Sequence, residues 1–414
     1  MNTYDVLIRN GRVIDPANGI DDNLDVAIKG GCIAAVGDGL EGDATEVFDA
    51  ARKIVTPGLV DIHIHGYDKV VPLAVDVDHY CLGRGVTTAV DAGSAGSDTF
   101  PGFRAFSVDR FKTRLLGFLN ISRLGLACSG LGGDNEIPGE LDMLKFVNTK
   151  TCIDVIEANR DILVGVKIRL SDSCANDGAN EQESFERAVS AAREVDLPLM
   201  THHSFSTVPL EDCPGRIRKS DIYTHCYHGF PSTIINPGSR AIEEPVRRAR
   251  DNGVRFDIGF GQGSFNWTVA EIAADAGFLP DTISTDLHAG TCEGPAYDMP
   301  SVMTRLLRVG MGLPEIIQRS TIEPARAISW EDRIGTLGVG READVTVLNV
   351  DQVDLELEDC QGQMRRITER IVASAVWRAG VRGVITEPKR FPNPDILKAQ
   401  RGWWPRLLVR DASL

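Results

Sequence analysis

The chain has 414 residues, room for a large buried core and more than one domain, and its 44 basic against 59 acidic side chains leave a net charge of −15, which excludes the basic surface that nucleic-acid binding needs. Hydrophobic residues make up 43% and charged residues 25%, a globular balance, and no apolar run approaches the ~20 residues of a membrane span. The start MNTYDVLIRNGRVID lacks the basic-then-apolar pattern of a secretory signal, and the nine cysteines are odd in number without a CxxC pair, so a reduced, cytoplasmic protein is expected.

Residues 4–56 alternate apolar and polar side chains between Gly and Asn/Asp turns, which predicts a small sheet. From residue 58 the pattern changes to short apolar runs separated by amphipathic stretches. The predicted strands are 59–65, 86–92, 115–122, 163–170, 197–203, 221–226, 254–259 and 282–287, with helical patterns at 183–196, 241–253 and 269–277. Strands that are apolar throughout, each followed by a helix, predict a parallel sheet covered by helices, and eight such units fit an α/β fold of the (β/α)8 TIM-barrel kind better than an open sheet. After residue 330 the strand pattern returns, in IGTLGVGREADVTVLNV and in the hairpin-like IVASAVWRAGVRG. The expected organisation is a small β-sandwich domain from 1–57 plus 331–390, a catalytic barrel at 58–330, and a tail at 391–414. Trp403 and Trp404 in that tail are candidate interface anchors for a homo-oligomer.

In such a barrel the catalytic side chains stand at the C-terminal strand ends. Five of the chain's eight histidines fall there: His63 and His65, then His202 and His203, then His225. Residues i and i+2 of a strand face the same side, so His63 and His65 can share one metal ion through neutral imidazole. Lys167, on an otherwise apolar strand, is costly unless paired or chemically changed. It is either carboxylated by CO2 to a carbamate that bridges two metals, or paired with Asp286 or Asp91. Asp286 can bind metal and act as general base, then general acid; its structural alternative is a helix cap.

The stretches VTPGLVDIHIHG, GVTTAVDAGSAG, VGVKIRLS, PLMTHHS, YTHCYHGF, STDLH and GREADVTVLNV together resemble the amidohydrolase superfamily, in its dihydroorotase-like branch with the N-acyl amino acid and O-acetyl hydroxy acid deacetylases. The resemblance implies a barrel flanked by a β-domain from both chain ends. It also implies two divalent ions, usually Zn2+: His63, His65 and Asp286 on one, His202 and His225 on the other, and N6-carboxylated Lys167 between them. His202 is preferred to His203, and His225 to His228. One departure is Phe260, where the deacetylase-like relatives carry a histidine after the seventh strand.

The expected partner is a small-molecule substrate, with neither nucleic acid nor membrane. Arg169 shares a strand face with Lys167 and can take a substrate carboxylate, or hold Asp91 or another strand-end acid. His288 can meet substrate or orient Asp286, and His228, in a loop, can touch substrate or lie in solvent. The glycines at 259, 261 and 263 read either as a weak phosphate loop or as a place of close backbone approach. The leading expectation is hydrolysis of an acyclic N-acyl or O-acyl amide or ester bond in a small, carboxylate-bearing substrate. Ring opening of a cyclic amide and a silent assembly subunit are the alternatives.

Overall fold

The computed structural model describes residues 3–128, 138–387, 392–402 and 404–409. The alternating segments near the start form β1 (Tyr4–Asp15), β2 (Ile20–Lys29), β3 (Cys32–Gly37), β4 (Ala44–Asp49) and β5 (Ile54–Pro57). The apolar runs that follow form β6 (Leu59–Ile64), β7 (Val86–Gly96), β8 (Arg114–Asn120), β9 (Leu163–Leu170), β10 (Leu199–His203), β11 (Ile222–Thr224) and β12 (Arg255–Phe256). Late in the chain come β13 (Val345–Glu358), β14 (Met364–Arg378) and β15 (Val381–Arg382).

Both chain ends build one mixed sheet, in the order β15-β14-β13-β5-β1-β2-β3, with β4 also on β1. The inward residues of its strands, Val6, Ile8, Val26, Ile28, Val347 and Trp377 among them, close a core of their own. Antiparallel pairing of β5 with β13 brings the two chain ends together.

The second sheet is the barrel: seven strands, ordered β6 to β12, with parallel neighbours throughout. Their side chains are buried on both faces, as a helix-covered parallel sheet requires. The helix Glu181–Glu194 shows how that cover arises: Phe185, Ala188, Val189 and Ala192 fall on one side and are buried, and the helix packs on β9 and β10.

The predicted eighth strand takes a different form. Residues 282–287 close the circle through single parallel bridges, Thr282 with Asp257 and Leu287 with Ile64. A full ladder is interrupted because Asp61, in β6, draws the Thr285 N–H and hydroxyl to its carboxylate, and because Asp286 turns at φ 46°. The two strands that precede it are also shorter than predicted, three residues in β11 and two in β12.

The tail, unplaced by pattern, forms a helix over Pro394–Arg401 and then lies on the barrel mouth. There Leu408 and Val409 donate their N–H groups to Gly229 O at 2.8 and 3.1 Å. Trp403 lies outside the described residues, and Trp404 binds the Gln361 carbonyl through its indole N–H. Eight cysteines are free thiols, and no helix is long and apolar enough to cross a membrane among the described residues.

Arg114 joins the two sheets. From the start of β8 it donates to Thr88 Oγ1 at 2.7 Å and pairs with Asp344 and Glu342, just before β13. Arg114 and Asp344 are both buried. Arg114→Ala leaves that carboxylate uncompensated, so it is expected to cost about 3–5 kcal/mol, read as a lower midpoint in thermal or denaturant unfolding.

Candidate active site

The C-terminal ends of the barrel strands surround a cavity of about 200 Å3. His63 reaches it from β6 and His65 from the residue after it, Lys167 and Arg169 from β9, His202 from β10, Asp286 from the closing segment and His288 from just past it. His225, one residue past β11, sits beside them with its ring centroid 4.9 Å from His63 and 4.2 Å from His202. Asp286 Oδ1 is 3.3 Å from His63 Nε2 and 3.2 Å from His65 Nε2. The ligand-type atoms of His63, His225 and Asp286 all lie within 4.8 Å of one another.

The groups behind these rings decide which nitrogen faces the cavity. Thr224 donates its single hydroxyl proton to Asp257 Oδ2 at 2.7 Å, so at 3.0 Å it accepts from His63 Nδ1. Ser94, whose backbone N–H binds Asp91 Oδ1 at 2.7 Å, sets its hydroxyl 2.8 Å from His65 Nδ1. His225 Nδ1 meets the Gly259 carbonyl at 2.5 Å, an oxygen that can only accept. His63 and His225 are therefore Nδ1–H tautomers that turn a bare Nε2 lone pair inward, the disposition of metal-binding histidines. His225 Nε2 is buried with no hydrogen-bond partner. His202 engages Ser204 Oγ through Nε2 at 2.8 Å, which leaves Nδ1 as its donor atom for a metal.

Electrostatics favour the same chemistry. Burial pushes His63 and His202 well below the ordinary imidazole range, and His225 and His288 to about 4, so these rings are neutral at neutral pH. Burial works against the Asp286 carboxylate, but the hydrogen bond with His65 and the surrounding imidazoles outweigh it and keep it ionised. Burial lowers Lys167 to about 8, against the pull of Asp286, Asp257 and Asp91. Its Nζ stands 3.3 Å from His63 Nε2, and among the described residues no carboxylate lies within ion-pairing distance of it. Neutral imidazoles, an ionised carboxylate, a readily deprotonated amine and an orphaned buried nitrogen together fit a site for divalent cations.

Two of these residues stand at backbone angles that side chains rarely adopt, His225 at φ 64° and Asp286 at φ 46°. The glycine-rich loop after β12 accommodates them. A Cβ on Gly261 would lie 2.4 Å from Asp286 Oδ2, and one on Gly259 would lie 2.8 Å from His225 Nδ1. The loop's glycines thus serve close approach to these two side chains, and a phosphate role is not needed to explain them. Phe260, between the glycines, points away from the cavity; it is buried and stacks on Phe265 with centroids 4.9 Å apart.

One sequence expectation, that for His228, needs correction, and the structure adds partners to two others. Arg169 reaches the cavity, but it is paired with neither Asp91 nor an open site. Its Nε and one terminal nitrogen bind buried Glu140 at 2.8 and 2.6 Å. His228 is neither solvated nor at the cavity wall: it is fully buried and donates from Nε2 to His203 O at 3.0 Å. His288 turns its Nδ1 to the Gly290 N–H at 3.0 Å and faces the cavity, its ring 6.1 Å from that of His65. His203 points outward, to Tyr223 and the Val208 carbonyl, and His79 is exposed on the short helix Val77–Tyr80.

Sequence reasoning missed Thr224, Ser94, Asp257, Asp61 and Glu140. The one available signal was local: polar residues such as Thr224 and Asp257 sit beside the strand-end residues in otherwise apolar strands.

The amidohydrolase family model matches residues 263–381. A deacetylase of Brucella anthropi is 32% identical over 357 residues, 84% of each chain. The crystal structure of an adenine deaminase superposes with a TM-score of 0.84 at 31% identity, over 92% of this chain and 99% of that one. That of a dihydroorotase gives 0.81 at 29% identity, over 93% and 99%. With this fold, these strand-end side chains and these relatives, the chain is a member of the amidohydrolase family of hydrolytic enzymes.

Proposed function

We propose that this protein is a binuclear metal-dependent hydrolase that cleaves an acyclic N-acyl or O-acyl bond in a small substrate. The observation that carries the reading is the convergence of the His63 and His225 lone pairs and the His65 ring on Asp286, beside a buried lysine with no carboxylate partner among the described residues. His63, His65 and Asp286 would hold one divalent ion, and His202 and His225 the other, with zinc suited to nitrogen and carboxylate donors. Bound there, the ions would lower the pKa of the attacking water and polarise the scissile carbonyl.

The protein's own groups supply the rest. Lys167, neutral in part near pH 8, can attack CO2 through Nζ, lose a proton and present a carbamate with two donor oxygens. Asp286, ionised at neutral pH, accepts the proton of the attacking water and returns it to the leaving nitrogen or oxygen. Asn120, Gln262 and Ser264 line the cavity and can orient the substrate, and Phe205 and Phe230 form an apolar wall. The Arg169–Glu140 pair cancels charge at its wall, so a carboxylate on the substrate is not required. Free thiols fit a cytoplasmic setting.

Deacetylase-named relatives favour the acyclic reading, and likeness to a dihydroorotase favours ring opening. A panel of N-acetyl-D-amino acids and O-acetyl hydroxy acids against dihydroorotate and hydantoins separates them: turnover of the acyclic set is expected, and turnover of the cyclic set alone contradicts the proposal. Asp286→Asn keeps a side chain that tolerates positive φ, so folding should survive while kcat falls by about 10²–10⁴-fold. Thr224→Val removes the hydroxyl that orients His63 and should weaken zinc binding about 10–100-fold in a competitive chelator titration.

A further inference from the structure

The long hairpin of β13 and β14 leaves the terminal sheet and ends at the barrel mouth. Its tip, residues 357–363, is buried throughout, although it carries Glu358, Asp359, Gln361 and Gln363. Placing so many polar groups away from water is costly unless they find partners: Glu358 takes the Tyr297 hydroxyl and Gln363 the Thr268 hydroxyl, while Cys360 and Gln361 find theirs on the loop that follows β12. Cys360 Sγ–H reaches the carbonyls of Phe260 and Gly261 at 3.0 and 3.1 Å. Gln361 Nε2 donates to Gly263 O at 2.8 Å, and its Oε1 accepts from Asn266 Nδ2 at 2.6 Å. Because Gly263 O can only accept, the orientation of that amide is decided. Asp359 bends the tip to this task by accepting from the N–H groups of Trp267, Gln361 and Gln363.

The same loop faces the chemistry on its other side. Gln262, Gly263 and Ser264 line the cavity, and Gly261 abuts the Asp286 carboxylate. The tip and the cavity therefore hold opposite sides of one short stretch of backbone. A joint that served cohesion alone could be apolar; this one consists of directed bonds to the carbonyls of the cavity wall.

We propose that Gln361, with Cys360 beside it, is a positioning residue: the hairpin tip sets the 261–264 wall and thereby the fit of the substrate. The proposal rests on reading the cavity as the hydrolytic site. Gln361→Glu keeps the shape of the side chain and the acceptor for Asn266, but sets an oxygen against Gly263 O. Thr268→Val is the control, since it removes only the 2.8 Å bond from Thr268 to Gln363 at the same joint.

The test measures kcat and KM on the best acyclic substrate of the panel, together with hydrogen exchange of residues 259–266, in the full chain. In Gln361→Glu, KM should rise about five- to tenfold with kcat changed less than about twofold, and exchange across 261–264 should quicken. Thr268→Val should lower the unfolding midpoint and move neither quantity. Gln361→Glu behaving like Thr268→Val, or faster exchange with KM unchanged, overturns the proposal. Wild-type inactivity across the panel would count against the hydrolytic reading alone, and the exchange comparison would then decide the positioning by itself.

Discussion

Burial keeps the imidazoles of His63, His202 and His225 neutral, and for His63 and His225 a hydrogen bond from behind decides which nitrogen holds the proton. In water these rings would sample both tautomers and the cation. In the barrel mouth, charging any of them would require desolvating several like charges a few ångströms apart. The chain from Asp257 through Thr224 to His63, and the Gly259 carbonyl behind His225, turn that electrostatic penalty into a directed set of lone pairs. Removing the hydroxyl of Thr224 would leave His63 in place but free to present either nitrogen.

The fold supplies the two conditions this arrangement needs, dryness and backbone strain held in register. Helices cover the outside of the barrel, while the terminal sheet closes one flank through Arg114 and reaches the mouth through the β13–β14 hairpin. His225 and Asp286 keep positive φ because neighbouring segments over-determine them: Gly259 and Gly261 give them room, and the Asp61–Thr285 bonds anchor the segment before Asp286. The two sheets thus meet at the site, and the terminal sheet contributes more than stability.

Much of the architecture was legible in the sequence because it rests on local periodicity. Apolar runs of five to seven residues spaced by helical patterns mark barrel strands, and alternation at both ends marks the mixed sheet. The i, i+2 spacing of His63 and His65 needs no distant information, and the structure brings them to Asp286, Lys167, His202 and His225. What sequence could not supply depends on contacts far apart in the chain. Thr285 lies 224 residues from Asp61, and Gln361 lies 98 from Gly263. Arg169 illustrates the difference: its place on the face of β9 follows from spacing, whereas its partner Glu140 comes from a connecting segment with no periodic signal. The closing barrel segment was read as an ordinary strand because pattern reports polarity, not the positive φ of Asp286.

The most direct test of the central claim is native mass spectrometry of the purified protein with metal analysis, compared with Lys167→Ala. The account predicts two divalent ions and the added mass of one CO2 on the wild-type chain, and loss of the CO2 with at least one ion in the variant. A wild-type chain that takes up fewer than two ions when supplied with Zn(II) and bicarbonate, or that carries CO2 equally in the variant, would contradict it.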